Sequence, residues 1–439
     1  MITNLKSISN VHFIGIGGIG ISAIARMMLM EGRSVTGSDR SGSLVTKELE
    51  KAGAKISIGQ QAENILEGCD LIVYTVAIAG DNPELVEAKR RRIPMMTYPQ
   101  ALHEVSKEMF TIAISGTHGK TTVTAMIAKI LIDAKLDPTV IVGSLLKEHN
   151  TNFISGKSDL FVVEADEYKN AFFNLEPSIF VINNLDLDHL DFFKDLEDIQ
   201  RSFKKVAEGV PQSGFVICNA NDPHVQPVIK GLACKVIDYG EFKDMDLKLQ
   251  VTGKHNRSNA AAAYAVSRVL NVEDERAITS LEDFSGTWRR FEYKGEAGNG
   301  ALVYDDYAHN PQKLRAALQG AREMFPDKKI VTIFQPHLYS RTKILLKDFA
   351  ESFSDTDELI LLPIYAARET NDPLISSDIL AESIKVIIRE EYKNKGKFLK
   401  RVSVAKDHND AIALIPQDTE IIITMGAGDV TAISDILTK

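Results

Sequence analysis

Cysteine is scarce in this chain. Only Cys69, Cys218 and Cys234 occur among 439 residues. Their spacing fits neither a CxxC pair nor a disulfide framework. Cys69 and Cys218 border or sit in apolar, strand-like runs ("GCDLIVYT", "GFVICNA"), which reads as small buried hydrophobes. Positive charge is also in deficit. Lys and Arg number 51 against 60 Asp and Glu, a net charge of −9. That argues against a general nucleic-acid or membrane-surface binder, while leaving room for a local basic pocket. No apolar run is long enough to span a bilayer. The opening "MITNLKSISN" lacks a signal peptide's apolar core. A soluble cytoplasmic protein is expected. Short tandem repeats and low-complexity segments are absent as well. What is present is a mixed globular composition, 44% hydrophobic and 25% charged. The length exceeds one ordinary core, so two or three domains are expected.

Three regions each alternate apolar runs with helical patterns, which predicts three α/β domains with mainly parallel sheets. In the first, "VHFIGIG", "SVTGSD", "KISIG" and "LIVYTVAI" read as strands, with "ISAIARMMLMEG" and "VTKELEKAG" as helices closed by glycine. Its polar close sets a boundary near residue 107. The second has strands at 110–115, "DLFVVEAD", "SIFVINN" and "GFVICNA", and runs to about residue 288. Behind its first strand, Val123, Met126, Ile127, Ile130, Leu131 and Ala134 follow the spacing of a one-faced helix. The third contains "ALVYDDYAHNP", a helix from Gln312 to Met324, "KIVTIFQPH", "DELILLPIYAARE" and "EIIITMGAGDV". Its distinctive residues cluster just after strand ends, where open parallel sheets bind ligands.

Two glycine loops stand between a strand and a helix. "GIGGIG" carries Gly15, Gly17, Gly18 and Gly20 in a G-x-G-x-x-G frame that lets a pyrophosphate approach a helix N-terminus. Asp39, after the second strand, is placed like the ribose-binding acid of a dinucleotide site. A nicotinamide-dependent dehydrogenase is therefore one reading of this segment alone. The second loop, "SGTHGKTT", is the stronger signal. Ser115, Gly116, Thr117, His118 and Gly119 lead into Lys120 and Thr121. Glycines open the backbone N–H groups to phosphate oxygens, Lys120 adds a full charge, and Thr121 can bind magnesium through its hydroxyl. Ile114 stands where the general phosphate-loop pattern has its first glycine, so the loop is shortened. A plain glycine-rich turn with a solvated lysine is the alternative.

Further along, "FVVEADEY" places Glu164, Asp166 and Glu167 at a strand exit. A nucleotide-bound magnesium needs one or two such carboxylates, and Glu164 is the first choice. They could equally be solvated charges. His189, between Asp188 and Asp191, is a candidate second-metal ligand, its ring oriented by those acids. A loop histidine without a ligand role is as good a reading. His255, Asn256 and Asn259 open an alanine-rich helix. Asparagine suits an adenine edge, but it also suits a helix cap. "TWRRFE" supplies Arg289 and Arg290, a guanidinium pair that fits a transferring phosphate or a plain surface. Asp305 and Asp306 suit ribose hydroxyls, with Tyr307 and His309 alongside.

In order, "GIGGIGISAIA", "SGTHGKTT", "EADE", "NLDLDHLDFF", "GKHNRSNAAAA", "RRFE", "DDYAHNP" and "FQPHLYSRT" resemble the Mur ligase family, ATP-dependent amide-forming enzymes of peptidoglycan precursor synthesis. The likeness spans nearly the whole chain. It implies a Rossmann-like domain for a UDP sugar (1–107), a central P-loop ATPase-like domain for ATP (108–288) and a Rossmann-like domain for the amino acid (289–439). It implies three small-molecule substrates, UDP-N-acetylmuramate, ATP and L-alanine, with two magnesium ions. The sugar's carboxylate attacks the γ-phosphate, and the amine then displaces phosphate from the acyl phosphate. Domain closure would exclude water from that intermediate.

Residue by residue, the resemblance implies that Lys120 and Thr121 hold phosphates and one magnesium, Glu164 binds that ion and His189 the second. His118 would face the muramyl group. His255, Asn256 and Asn259 would surround adenine, Asp306 would meet ribose, and Arg290 the phosphates. Ser38 and Asp39 would lie near the nucleoside and Thr75 near the pyrophosphate. Tyr307, His309, His337 and Arg341 would form the amino-acid pocket. Leu338 and Asn310 depart from the family pattern, which often has arginine and histidine there. "EADEYKNAFF" looks more like a relative that reattaches the murein tripeptide to the same UDP sugar, an alternative that "FQPHLYSRT" opposes. A non-catalytic P-loop switch is the remaining alternative and leaves that C-terminal segment unused.

Overall fold

The computed structural model describes the chain except residues 1–4, 6, 7, 77, 108, 150, 190, 191, 252, 368 and 391–397, and the side chains of 389 and 390. Strands β1 (Asn10–Ile14), β2 (Ser34–Asp39), β3 (Lys55–Ile58), β4 (Leu71–Tyr74) and β5 (Met95–Thr97) form a parallel sheet in the order β3-β2-β1-β4-β5. The chain moves outward from β1 to β3 and then returns to β1's other side. That reversal leaves a crevice at the C-terminal ends of β1 and β4.

The second sheet contains β6 (Phe110–Ser115), β7 (Thr139–Leu146), β8 (Thr151–Ile154), β9 (Leu160–Glu164), β10 (Ile179–Ile182), β11 (Phe215–Cys218) and β12 (Lys235–Asp238). Its order is β12-β11-β10-β6-β9-β7-β8, parallel except for β8 against β7. The third sheet has β13 (Glu292–Glu296), β14 (Leu302–Asp306), β15 (Ile330–Phe334), β16 (Glu358–Leu361), β17 (Arg401–Val404) and β18 (Ile421–Met425), ordered β13-β14-β18-β15-β16-β17. Only β13 runs antiparallel to its neighbour. The inner strands "TIAIS", "FVV", "IFVI" and "IIITM" are buried throughout, because helices cover both faces of a parallel sheet.

Strands β5, β7, β8, β12, β13 and β17 stand outside the expected set, and all but β7 lie at sheet edges. Edge strands are short and half-solvated, so their sequences carry little apolar signal. The helix Lys120–Asp133 also differs from expectation. Thr121, Thr124, Ala125 and Ala128 are buried along with the predicted stripe, because the helix packs on β7 and β9 and also on the helix Asp274–Glu282. Cys218 and Cys234 are buried and Cys69 partly so, and none is in a disulfide. Burial, then Asp238 and Asp222, push the Cys218 thiol up to about 12, so it stays protonated and unreactive. Among the described residues, no helix is long and apolar enough to cross a membrane.

The chain divides into two compact units, Met1–Gln250 with Ser258–Ser285, and Val251–Arg257 with Gly286–Lys439. The first unit holds two sheets joined by one continuous apolar core from Leu5 to Cys234. Inside it, Asn152 on β8 donates through Nδ2 to Ile19 O and to Ser22 Oγ of the helix Ile19–Met30. In the second unit, two apolar clusters cover the opposite faces of the third sheet.

Candidate active site

The first glycine loop leaves β1 at the crevice between β1 and β4. Gly15 adopts a φ of +79°. The N–H groups of Gly15 and Ile16 both donate to Ser38 O, at 2.8 and 3.0 Å. Gly17 N–H donates to Asp39 Oδ2 at 2.8 Å, and Arg40 N–H to Asp39 Oδ1 at 2.7 Å. β2 therefore supports the loop from behind. The helix Ile19–Met30 opens on Gly18 with no side-chain cap and no acid in its first turn, leaving its positive end free for an anion. Thr75 packs against Gly15, and the phenol end of Tyr98 covers Gly20.

Ser38 is placed differently from expectation. Its hydroxyl is fully buried and donates to Glu84 Oε2 at 2.6 Å, so it faces the interior and not a ligand. Glu84 also accepts from Asn64 Nδ2 at 2.5 Å and lies 3.9 Å from His12 Nε2. Burial pushes this carboxyl up, but His12, Ser38 and Asn64 together outweigh it and hold Glu84 below the ordinary range. No local motif marked Glu84. Its partners come from β1, β2 and a turn twenty residues upstream, and only the sheet order brings them together.

The phosphate loop leaves β6. Gly116 has φ +135°, and Gly119 has φ +80° at the N-cap of the helix Lys120–Asp133. A side chain at 119 would collide with the amides of Asn183 and Asn259. The loop is laced to the exit of β10. Thr117 N–H donates to Asn184 O at 3.0 Å, and His118 N–H to Asn184 Oδ1 at 2.8 Å. Asn183 Nδ2 donates to His118 O and to Asn259 Oδ1, at 2.8 and 2.9 Å. Asn259 is thus buried beneath the loop in the first unit, with its Oδ1 occupied. His255 and Asn256 belong to the second unit, where the His255 ring lies beside Gly320. All three residues of the expected adenine trio lie on the first turns of one helix, Lys254–Val269.

Three charges meet the loop. Lys120 Nζ donates to Gly116 O at 2.6 Å and to Glu167 Oε1 at 2.8 Å. Burial opposes the Lys120 charge, but Glu167, Asp166 and Glu164 outweigh it and hold the ammonium above the ordinary lysine value. Thr121 Oγ1 donates to Glu164 Oε1 at 3.0 Å, while Glu164 Oε2 accepts from Gly143 N–H at 2.7 Å. Thr121, in the first turn of the helix after β6, is therefore paired with Glu164 at the end of β9, as a shared magnesium ligand set requires.

His189 lies 3.8 Å from Glu167 Oε1, its ring centroid 4.7 Å from that of Tyr168. Asp188 accepts from the His189 backbone N–H at 2.8 Å, so the charge facing the ring is Glu167. Asp191 lies outside the described residues. One ligand atom each from Asp166, Glu167 and His189 can be chosen so that all lie within 4.8 Å of one another. Glu167 is 3% exposed, and its Oε2 is buried without a hydrogen-bond partner among the described residues. A buried carboxylate oxygen of that kind fits a second cation. The sequence groups Glu167 with Glu164 and Asp166 at a strand exit but does not distinguish it from them. Its depth was not visible from "EADEY".

In the second unit, two adjacent arginines face two adjacent acids. Arg289, with φ +55°, is buried and donates from Nε to Asp305 Oδ2 at 2.7 Å and from a terminal nitrogen to Gly426 O at 2.5 Å. Thr424 and Thr431 also donate to Asp305, at 2.6 and 3.0 Å. That pair is a buried clamp joining β14 to the exit of β18. Both guanidinium groups lie over the Tyr307 ring, Arg289 at 5.2 Å and Arg290 at 5.5 Å from its centroid. Asp306 accepts the N–H groups of Phe291 and Ala308, both at 2.7 Å. Burial pushes its carboxyl up against the pull of Arg290 and those donors.

The expected amino-acid residues do gather. The His309 ring lies 5.2 Å from Tyr307 and 6.1 Å from His337, and Arg341 acts on it electrostatically. His337 bridges to Tyr365 on the neighbouring strand exit. Leu338 holds a φ of +71°, unusual for leucine, at the start of the helix Tyr339–Ile344, and its side chain is buried. Asn310 caps the helix Pro311–Met324 by accepting from Lys313 N–H at 2.9 Å, which accounts for asparagine there.

Comparison with known proteins covers the same ground. Residues 10–109 match a model described as Mur ligase family, catalytic domain; 114–246 match Mur ligase middle domain; 289–428 match Mur ligase, glutamate ligase domain. The chain is 39% identical to a UDP-N-acetylmuramate–L-alanine ligase of Clostridium botulinum, over 97% of both chains. It is 39% identical to the protein of that name from Clostridium tetani, over 99% of both. Among solved structures, it resembles the UDP-N-acetylmuramate-alanine ligase of Thermotoga maritima with a TM-score of 0.79 and 28% identity over 98% of both chains. A murein peptide ligase from Psychrobacter arcticus shares the fold, with a TM-score of 0.72 and 24% identity.

Proposed function

This chain belongs to the Mur ligase family, and we propose that it joins L-alanine to the carboxylate of UDP-N-acetylmuramate, converting ATP to ADP and phosphate, in the cytoplasm. End-to-end likeness to the clostridial alanine ligases carries the choice of substrates. The geometry of the first unit supports the chemistry. Gly15, Gly17, Gly18, Gly20 and Thr75, braced by the Asp39 carboxylate, form a lysine-free cradle where a diphosphate would meet a helix N-terminus. Ser38 serves that cradle only through its carbonyl.

ATP takes the second loop. Lys120 gives up Glu167 for phosphate oxygens and neutralises charge as the muramyl carboxylate displaces ADP. Thr121 and Glu164 would hold one magnesium, and His189 with Glu167 and Asp166 a second. Such ions screen phosphate charge and polarise the transferring group. His118 presents its ring beside the loop to the muramyl group. His255, Asn256, Asp306 and Arg290 serve the nucleotide, and Tyr307, His309, His337 and Arg341 the amino acid. Boundaries near residues 107 and 288 separate the three substrate domains.

The test is phosphate release from ATP with UDP-N-acetylmuramate plus L-alanine, glycine, L-serine or murein tripeptide in turn. Alanine is expected to be the preferred acceptor, with glycine and serine weaker. One methylene in a small pocket discriminates by ~1–3 kcal/mol. Release with tripeptide and not with alanine would overturn the reading.

A further inference from the structure

An amino acid reaches any ligase at neutral pH as an ammonium, which has no lone pair. The second unit contains a base suited to that difficulty. His309 follows β14, and its Nδ1 lies 2.8 Å from Tyr307 O. A carbonyl only accepts, so Nδ1 carries the hydrogen and Nε2 carries the lone pair. Nε2 makes no hydrogen bond among the described residues. The charged and titratable groups around this ring come from three directions: Lys313 on the helix Pro311–Met324, Arg341 on the helix Tyr339–Ile344, and His337 after β15. All are cationic or able to become so. Burial, then Lys313 and Arg341, hold the imidazole well below its ordinary value, so the ring is neutral at working pH.

We propose that His309 is a catalytic residue of the amide-forming half-reaction, its Nε2 accepting the proton that the amino acid's ammonium must lose. This rests on the ligase reading above. The ammonium N–H bond breaks and its proton passes to Nε2, leaving the nitrogen lone pair free. That pair forms the C–N bond at the acyl-phosphate carbonyl. The C–O bond to phosphorus breaks with its electron pair on the phosphate, which takes the amine's second proton and leaves as hydrogen phosphate. The same cations that keep the ring neutral also disfavour the ammonium beside it. The proton therefore does not rest on His309 and passes on to water, within reach of this half-buried residue. Arg341 attracts the carboxylate of the same amino acid, so one cationic pocket selects the anionic, free-amine form.

The experiment compares His309→Asn and His309→Gln with the wild type, using two nucleophiles. Asparagine keeps a donor near the Nδ1 position, and glutamine keeps an acceptor near Nε2. Neither takes up a proton. Hydroxylamine is neutral at pH 7 and traps an acyl phosphate as hydroxamate without a base. Both variants are expected to lose on the order of 100-fold in kcat with L-alanine. They should keep their KM for alanine and make hydroxamate at the wild-type rate. The alanine deficit should shrink as pH rises and free amine accumulates. Three results would overturn the proposal: equal loss with both nucleophiles, a raised alanine KM with kcat intact, or recovery by glutamine. Wild-type enzyme that forms neither amide nor hydroxamate would instead overturn the ligase reading itself.

Discussion

The two glycine loops of the first unit share a backbone plan and differ in what surrounds them. Each leaves a parallel strand at a reversal of strand order, turns on a glycine of positive φ and enters a helix. Around Gly15–Gly20 the support comes from one carbonyl, Ser38 O, and one carboxylate, Asp39, with no lysine. Around Gly116–Gly119 it is ionic, with Lys120 against Glu167 and Thr121 against Glu164. The turn alone provides for phosphate; the charges decide whether phosphate is held or transferred. On the proposed function, the first loop is a handle for a substrate that does not react there, and the second is where bonds change.

The sharpest test of that division is Lys120→Ala. Turnover should fall on the order of 1,000-fold, the scale for removing a preorganised group at a charged transition state. UDP-sugar binding, measured by calorimetry, should be unchanged. Joint loss of both would mean the loops are not separable.

Next come paired glycine substitutions. Gly119→Ala forces a left-handed φ, costing about 1–2 kcal/mol, and drives a methyl into Asn183 and Asn259. Thermal unfolding should move down and ATP affinity should fall. Gly20→Ala meets only the end of the Tyr98 ring, a side chain able to swing aside. Its melting temperature should stay close to wild type while KM for the UDP sugar rises on the order of tenfold, about 1.4 kcal/mol. Equal destabilisation by the two would break the contrast between a rigid ionic loop and an adaptable cradle.

Ser38→Ala should act more mildly and in the other direction. Removing its hydroxyl takes one donor from the buried Glu84 carboxylate, a loss of about 1.5–3 kcal/mol of stability for a bond to a charged group. The serine carbonyl that holds Gly15 and Ile16 remains. Denaturant unfolding should register the change, whereas KM for the UDP sugar should move less than twofold. A large KM effect with normal stability would return Ser38 to the ligand surface.

These contrasts also mark what the sequence could reveal. Both loops, their strands and their helices were legible because the signal is local: glycines, a lysine and apolar runs within about twenty residues. The supports were not. Glu84, Asn183, Asn184 and the buried side of Glu167 act on residues 46 to 66 positions away, or on neighbours whose proximity depends on sheet order. Asn259 shows the limit well. Its helix and polar character were evident, yet its partner is an amide after β10. Arg289 and Arg290 are equivalent as letters. A positive φ at Arg289 turns it inward to Asp305, while Arg290 acts on Asp306, although both guanidinium groups lie over Tyr307.

The smallest expected effect concerns Asp39, the residue that most favoured a dinucleotide reading of the first loop. In a site for a nicotinamide cofactor, an acid at this position owes its value to charge, because it accepts two ribose hydroxyls. Here both oxygens already accept main-chain N–H groups, from Gly17 and Arg40. A brace of that kind needs an acceptor more than a charge. Asp39→Asn keeps one acceptor oxygen for Gly17 and loses the bond to Arg40, which is exposed. UDP-sugar KM should therefore rise only about two- to fivefold, within ~1 kcal/mol for one neutral hydrogen bond. Asp39→Ala, which removes both acceptors and loosens the loop, should cost more than asparagine does. If asparagine and alanine are equally damaging, the carboxylate's charge is what matters, and Asp39 meets the nucleoside directly.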